Sequence, residues 1–214
     1  MKELFKIGII VVAVGMMVVS CSKDSTEEVN FGNLTIGTQQ YTLAHAYMET
    51  YGQEGEGYNI DLTLVSSTSL NQNSTNEASI YLEIFSNLEN MISEGSYTAN
   101  NYSSREVFTY TDRSEVVCAA KLSALGDGFV AREGSVCSPL EGTLRVTLVD
   151  SKYTFDFQGT TTEFQLVNGE KKSDGKEVVI NFHYEGTALV SSGNAFFLSK
   201  NSSAKKLIEY ANEY

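Results

Sequence analysis

The sequence predicts an all-β domain, an antiparallel β-sandwich or barrel-like fold with a short C-terminal helix. The chain contains 12 Tyr and 11 Phe but one Pro and no Trp, and such aromatic-rich chains suit pleated, half-buried strands. Short segments of alternating apolar and polar residues recur at intervals of roughly 8–12 residues, with turn residues between them. No long helical pattern separates these segments, which disfavours a parallel α/β sheet.

Alternation and turn residues locate the strands of the first half. A hairpin is predicted from 33–36 and 41–47, and an exposed glycine-rich loop at 52–57 precedes a half-buried strand at 58–66. In that strand, one face carries four apolar residues: Tyr58, Ile60, Leu62 and Leu64. Residues 67–76 predict a polar loop. Further strands are predicted at 80–85, 95–98, 107–111 and 116–120, with a short helical turn at 87–93.

The second half contains the clearest hairpin, formed by 144–148 and 153–157 around Asp150-Ser151-Lys152. A second strand pair is predicted from 164–167 and 178–184, with His183 on the face opposite the apolar residues. Two more strands follow at 187–190 and 195–198. Residues 203–214 predict a terminal helix whose apolar stripe contains four residues: Leu207, Tyr210, Ala211 and Tyr214.

The first residues are typical of a secretory signal. Lys2 and Lys6 accompany an apolar stretch at 7–19, which is shorter than the roughly 20 residues a membrane-spanning helix requires. The stretch ends in Val18-Val19-Ser20-Cys21, which resembles the lipobox of bacterial lipoproteins. That resemblance implies that residues 1–20 are removed and that the Cys21 sulfur carries a diacylglycerol. Multiple acyl chains would then anchor the protein stably in a membrane.

Residues 21–30 form a polar, acidic segment that is expected to act as a flexible tether. The segment resembles the tethers of Bacteroidetes lipoproteins, which implies an outer-membrane location with exposure at the cell surface. Asp24-Ser25-Thr26 also resembles the O-glycosylation sequon of that group, with Ser25 as the acceptor. The alternative is an ordinary signal peptide that ends near a cysteine.

Residues 31–214 are expected to form a single β-rich domain. Its later half resembles β-rich Bacteroidetes lipoproteins of unknown function. Three short segments carry that resemblance: Gly142-Thr143-Leu144, Tyr153-Thr154-Phe155 and Tyr184-Glu185-Gly186-Thr187. These segments are strands and turns, so the resemblance implies fold and location and assigns no site.

The net charge of −12 at pH 7 disfavours nucleic acids and anionic lipid headgroups as partners, because an acidic surface repels both. The expected partners are a membrane, reached through the lipid anchor, and a glycan or another envelope protein.

Cys118 and Cys137 flank the glycine-containing segment 126–134, which is predicted to be a loop. An exported compartment permits disulfides, and a bridge closing such a loop would stabilise the fold by about 3 kcal/mol. We expect this disulfide. The alternative is a pair of buried free thiols, since free cysteine is among the most buried residue types.

Catalytic patterns are scarce. His45 and His183 are the only histidines, and the sequence contains neither a Gly-x-Ser-x-Gly elbow nor a glycine-rich phosphate-binding motif. A glycosidase needs only two carboxylates. Four acidic residues on or near predicted strands could supply them: Glu83, Glu141, Asp156 and Glu163. No organic cofactor is predicted.

Two features suggest ligand binding. Oxygen-bearing side chains around the glycine-rich loop suit Ca²⁺, and there are four of them: Glu54, Glu56, Asn59 and Asp61. Alternatively, they form a solvated acidic loop. Tyr97 and Tyr102 could stack on a sugar, or they could cap the end of the core.

We therefore expect a non-catalytic binding or accessory module at the cell envelope, with a glycan or an envelope protein as its ligand. Two alternatives remain open. One is a glycoside hydrolase that uses carboxylates, and the other is an assembly or adhesion subunit that pairs through a sheet edge.

Overall fold

The structure is a computed structural model that describes residues 30–66, 75–125 and 128–192. These residues form thirteen strands: β1 (Phe31–Ile36), β2 (Gln39–Leu43), β3 (His45–Glu54), β4 (Gly57–Val65), β5 (Glu77–Ser86), β6 (Gly95–Asn100), β7 (Thr109–Thr111), β8 (Glu115–Leu125), β9 (Gly128–Val149), β10 (Lys152–Val167), β11 (Glu170–Lys171), β12 (Lys176–Gly186) and β13 (Ala188–Ser192). The predicted all-β class is confirmed. The predicted strand at 195–198 and helix at 203–214 lie outside the described residues.

Hydrogen bonding between strands closes a five-stranded barrel within a larger sheet. The main path runs β13-β3-β4-β5-β7-β6-β9-β10-β12-β1-β2, and β8 pairs with both β5 and β9. Strands β5, β7, β6, β9 and β8 therefore form a closed ring, and the other strands extend from it on both sides. Most pairs are antiparallel, although β6–β7 and β13–β3 are parallel. No helix in the described ranges is long and apolar enough to cross a membrane.

One hydrophobic core fills the interior, because alternate residues of each strand point inward. Most of the predicted inward positions of β4, β5 and β12 are fully buried, including Leu62, Leu82 and Phe182, whereas Tyr58 and Val178 are only partly buried. Aromatic rings organise the centre of the core: the rings of Phe157 and Phe182 stack with their centroids 5.0 Å apart. Full burial of one such side chain stabilises the fold by roughly 1.5–3 kcal/mol.

The hairpin predicted around residue 150 is confirmed with its register. Leu148 pairs with Tyr153, and the pairing continues in register away from the turn to Leu144 and Phe157. Asp150 and Ser151 have positive φ angles of 51° and 67°, as a two-residue type I′ turn requires. The strands are much longer than the sequence suggests, since β9 extends back to Gly128.

The segment predicted to be a cysteine-flanked loop is part of a second long hairpin. β8 continues to Leu125 and β9 begins at Gly128, so the two strands pair almost up to their connection. The glycine-rich loop predicted at 52–57 is likewise only a turn, because β3 reaches Glu54 and β4 begins at Gly57. In both cases the polar and glycine-containing residues predict a loop, but backbone pairing between the two strands extends through them.

Three other predictions need correction. The predicted strand at 41–47 is interrupted at Ala44, which separates β2 from β3. Residues 87–93 contain an isolated bridge between Leu88 and Met91 and no helical turn. The end of β10, predicted to pair with 178–184, instead pairs with the short β11, because the β10–β12 pairing ends where Glu163 meets Lys176.

Strand β4 also differs from its predicted half-buried state. Ile60, Leu62 and Leu64 face the core as predicted, but Asp61 and Thr63 on the opposite face are buried as well. An alternating pattern shows that the two faces of a strand differ in polarity, and it does not show whether the polar face is exposed. In β4 the polar face is also shielded from solvent.

Candidate functional site

A polar groove lies on the outer face of the β9–β10 hairpin. Leu144, Val146 and Phe155 point into the core, so the residues between them point outward. Four of these outward side chains line a groove of about 380 Å³: Thr143, Arg145, Asp156 and Gln158. This volume falls within the range of roughly 300–1,000 Å³ that is typical of small-molecule sites.

Strand register places these groups in a continuous polar row. Asp156 pairs with Arg145 on β9 and with His183 on β12. The row continues to Asn33 on β1 and, on the other side of Arg145, to Ser96 on β6. Neighbouring strands are about 4.8 Å apart, so this row presents a hydroxyl, a guanidinium, a carboxylate, an imidazole and an amide at regular intervals.

The centre of the row is ordered by a short hydrogen bond. Nδ1 of His183 and Oδ1 of Asp156 are 2.6 Å apart. The Phe31 ring lies at a tilt beside the imidazole, with 5.7 Å between ring centroids, and its side chain is 49 % exposed. The polar row, of which the groove is one part, therefore combines hydrogen-bond donors and acceptors with an exposed aromatic ring beside His183. This arrangement can bind a polyhydroxylated ligand by hydrogen bonds, with an apolar ring face against Phe31.

A second, larger cleft of about 640 Å³ lies where β2, β8, β9 and β10 meet. Its walls include Tyr41, Cys118, Glu163 and Gln165. Burial raises the pKa of the Cys118 thiol to about 12. A hydrogen bond with Tyr41 lowers this pKa, and the nearby Glu163 carboxylate raises it. The thiolate is the nucleophilic form of cysteine. Burial therefore favours the protonated thiol of Cys118 over the nucleophilic thiolate.

The expected disulfide is not present: Cys118 and Cys137 are both free and buried. Cys118 pairs with Ser135 and Cys137 pairs with Val116, so the two cysteines are diagonal neighbours on β8 and β9. Diagonal neighbours are roughly 7–8 Å apart, which exceeds the Cα separation of about 4.4–6.8 Å that a disulfide spans. The structure corresponds to the alternative of two buried thiols.

The four residues predicted as calcium ligands have different surroundings. Glu54 is 3.6 Å from Arg105, and Glu56 is exposed in the turn. Asn59 donates a hydrogen bond to Glu83, and Asp61 accepts one from Tyr81. Among the described residues, no group of three or more His, Cys, Asp or Glu side chains is arranged to hold a metal ion.

The two tyrosines predicted to stack on a sugar have different surroundings. Tyr97 is fully buried in the core, and its hydroxyl donates to the Ser93 carbonyl oxygen. Tyr102 is on the surface, but the Arg113 guanidinium lies 3.5 Å from its ring centroid and Arg105 is also close. Tyr97 therefore belongs to the core, which was the alternative to sugar stacking.

Three of the four carboxylates considered for hydrolysis are on separate parts of the fold, and the fourth, Glu141, is exposed on β9. Glu83 is buried and accepts hydrogen bonds from Asn59 and Thr111. Asp156 belongs to the polar groove, whereas Glu163 lines the larger cleft. Cys21 and Ser25, the expected lipidation and glycosylation sites, lie outside the described residues.

The site residues predicted from the sequence do not include Thr143, Arg145 or Gln158. A usable signal was present, because the predicted turn already places Arg145 opposite Asp156 and Thr143 opposite Gln158. Comparisons with known proteins assign no function to the groove: no protein-family model, no curated protein and no solved structure matches the chain.

Proposed function

We propose that this protein is a lipid-anchored envelope protein whose β domain binds glycans without chemical turnover, and that the polar groove is its binding site. The row Arg145–Asp156–His183 carries the proposal. The strands fix the positions of the three residues, and the Asp156–His183 hydrogen bond orders two of the side chains, so these two lose little conformational entropy when a ligand binds. Sugar hydroxyls both donate and accept hydrogen bonds, which matches the mixed chemistry of the row.

Binding is favoured over hydrolysis by the composition of the groove lining. A glycosidase requires two carboxyl groups facing one bond, roughly 5–10 Å apart. Asp156 is the single carboxylate among the four side chains that line the groove, and its neighbours in the row are Arg145 and His183. These neighbours suit orientation of a bound ligand.

Replacement of Arg145 by alanine is expected to weaken glycan binding by about 10- to 100-fold, because hydrogen bonds to charged groups contribute roughly 1.5–3 kcal/mol. Soluble oligosaccharides should first be screened against residues 22–214 by thermal shift. The best binder should then be titrated calorimetrically against R145A. The exposed Lys172 offers a charge-matched control, K172A, which should bind like the unchanged protein.

Two results would contradict the groove as a glycan site. One is equal affinity of R145A and the unchanged protein for the same oligosaccharide. The other is the absence of any saccharide-induced shift across the panel, together with capture of an envelope protein that is lost in R145A. The second result would retain the groove and replace the ligand class.

Anchoring is tested separately by replacing Cys21 with alanine in the full chain. Without the thiol there is no site for the diacylglycerol, so the protein should leave the membrane fraction and should no longer incorporate labelled fatty acid. Cys118→Ala is the matched control, because that buried thiol is expected to have no part in anchoring. Unchanged membrane retention of C21A would refute the proposed anchor.

A further inference from the structure

The larger cleft lies at one end of the domain interior, between β2 and the β8–β9–β10 part of the sheet. Cys118 of β8 pairs with Ser135 of β9, and Ser135 pairs with Gln165 of β10. Directly paired residues lie on the same face of a sheet, and Cys118 belongs to the core cluster. These three residues therefore form a row on the inner face, and all three line the cleft.

Glu163 places a carboxylate in this cleft. It pairs with Cys137, which is fully buried in the core, so the Glu163 side chain is on the inner face as well. Its other backbone neighbour is Lys176 on β12. Within residues 30–66, 75–125 and 128–192, neither Lys176 nor any other group forms a hydrogen bond or an ion pair with the Glu163 carboxylate.

The buried polar groups beside Glu163 leave its charge in place. The Tyr41 hydroxyl on β2 donates a hydrogen bond of 2.7 Å to Oε1 of Gln39. Burial is the main cause of the raised pKa of both Cys118 and Tyr41, and the Glu163 carboxylate raises the two pKa values further. Both groups therefore stay uncharged at neutral pH, and the cleft keeps the negative charge of Glu163.

The charged groups around the cleft favour a cation as its ligand. Two acidic side chains line it, Glu133 and Glu163, and no Lys, Arg or His among the described residues does. Glu133 is 3.3 Å from Lys121, so Glu163 is the carboxylate that remains available to a ligand. An anion would meet only like charge in the cleft, and the net charge of −12 also attracts cations.

We propose that this cleft binds a small alkylammonium compound through Glu163. A primary ammonium group has three N–H donors and no acceptor. The Glu163 carboxylate and the side-chain amide oxygens of Gln39 and Gln165 supply acceptors in the cleft lining. A charge-assisted hydrogen bond to the carboxylate is roughly twice as strong as a neutral one. The cleft volume of about 640 Å³ lies within the range of roughly 300–1,000 Å³ that is typical of small-molecule sites.

Calorimetric titration of residues 22–214 with cadaverine tests the proposal, and the diol of the same carbon skeleton is the matched uncharged ligand. The diamine should bind at least about tenfold more tightly than the diol, because hydrogen bonds between charged groups are the stronger ones. E163Q keeps the shape of the side chain and should weaken cadaverine binding about tenfold. E141Q removes the same charge from an exposed position outside the cleft and should bind like the unchanged protein.

A second variant keeps the test decisive if E163Q does not fold. Gln165 is exposed at the end of the inner row, so Q165E should retain a β-type circular dichroism spectrum, and its added carboxylate should tighten cadaverine binding several-fold. Three outcomes would overturn the proposal. The first is cadaverine binding that is absent or no tighter than binding of the diol. The second is unchanged affinity in a folded E163Q or, if that variant does not fold, in Q165E. The third is an equal loss of affinity in E163Q and E141Q, which would show a general effect of net charge.

Discussion

Replacement of Phe157 by alanine is expected to destabilise the domain by about 4 kcal/mol, the largest effect that we predict for a single substitution. The Phe157 side chain is fully buried, stacks on Phe182 and meets Tyr110 edge to face with 6.0 Å between centroids. Truncation removes both ring contacts and leaves a cavity between β10 and β12. For a domain of this size, the melting temperature should fall by roughly 8–16 °C.

Urea unfolding of residues 22–214, followed by circular dichroism, measures this effect. Val149→Ala is the control, because Val149 is exposed beside the hairpin turn and its truncation should change stability by less than about 0.5 kcal/mol. A loss below about 1 kcal/mol in F157A would show that Phe157 is not a central core residue.

Replacement of Glu115 by glutamine is expected to stabilise the protein at pH 8 by up to about 3 kcal/mol. Glu115 is 4 % exposed, and burial raises its pKa to about 7, with the Lys171 charge acting in the opposite direction. Among the described residues, its Oε1 atom has no hydrogen-bond partner. A buried carboxylate of this kind is costly once it ionises.

The pH dependence follows from the raised pKa. Below about pH 4.5 the carboxyl is protonated in both the folded and the unfolded protein, so it has no effect on stability. Between about pH 4.5 and 7 the unfolded chain loses the proton while the folded protein keeps it, and stability falls as pH rises. Above pH 7 the destabilisation is complete. Glutamine cannot ionise and therefore removes this contribution.

Unfolding free energies at pH 4, 6 and 8 should show the advantage of E115Q growing from near zero to its full value. E141Q provides a matched control, because Glu141 is exposed on β9 and its replacement should change stability little at any of these pH values. A constant difference between E115Q and the unchanged protein would refute the ionisation argument.

Local patterns in the sequence predicted the strands better than the pairing between them. The hairpin around Asp150-Ser151 was predicted correctly, because its turn and both alternating strands are adjacent in the chain. The pairing of β1 with β12 and the closure of the barrel through β8 join distant segments. Alternation indicates which face of a strand is apolar and contains no information about the partner strand.

The candidate sites show the same limit. Glu54, Glu56 and Asp61 are close in sequence, but Asp61 is buried on β4 while Glu56 remains in an exposed turn. Cys118 and Cys137 are joined by a hairpin whose register makes them diagonal neighbours. The polar groove, by contrast, could have been identified from the sequence once the register of the β9–β10 hairpin was applied to its outward residues.

The position of β1 determines how the domain would respond to mechanical load. β1 is hydrogen-bonded on both sides, to β2 and to β12, and the Asn30 side chain just before it accepts a hydrogen bond from the Thr187 amide. A pull on the proposed lipid anchor would enter the described domain at Asn30, just before β1. The backbone hydrogen bonds on both sides of β1 would then bear the force together in shear. The domain would therefore withstand a large force on a ligand bound in the groove before β1 is extracted from the sheet.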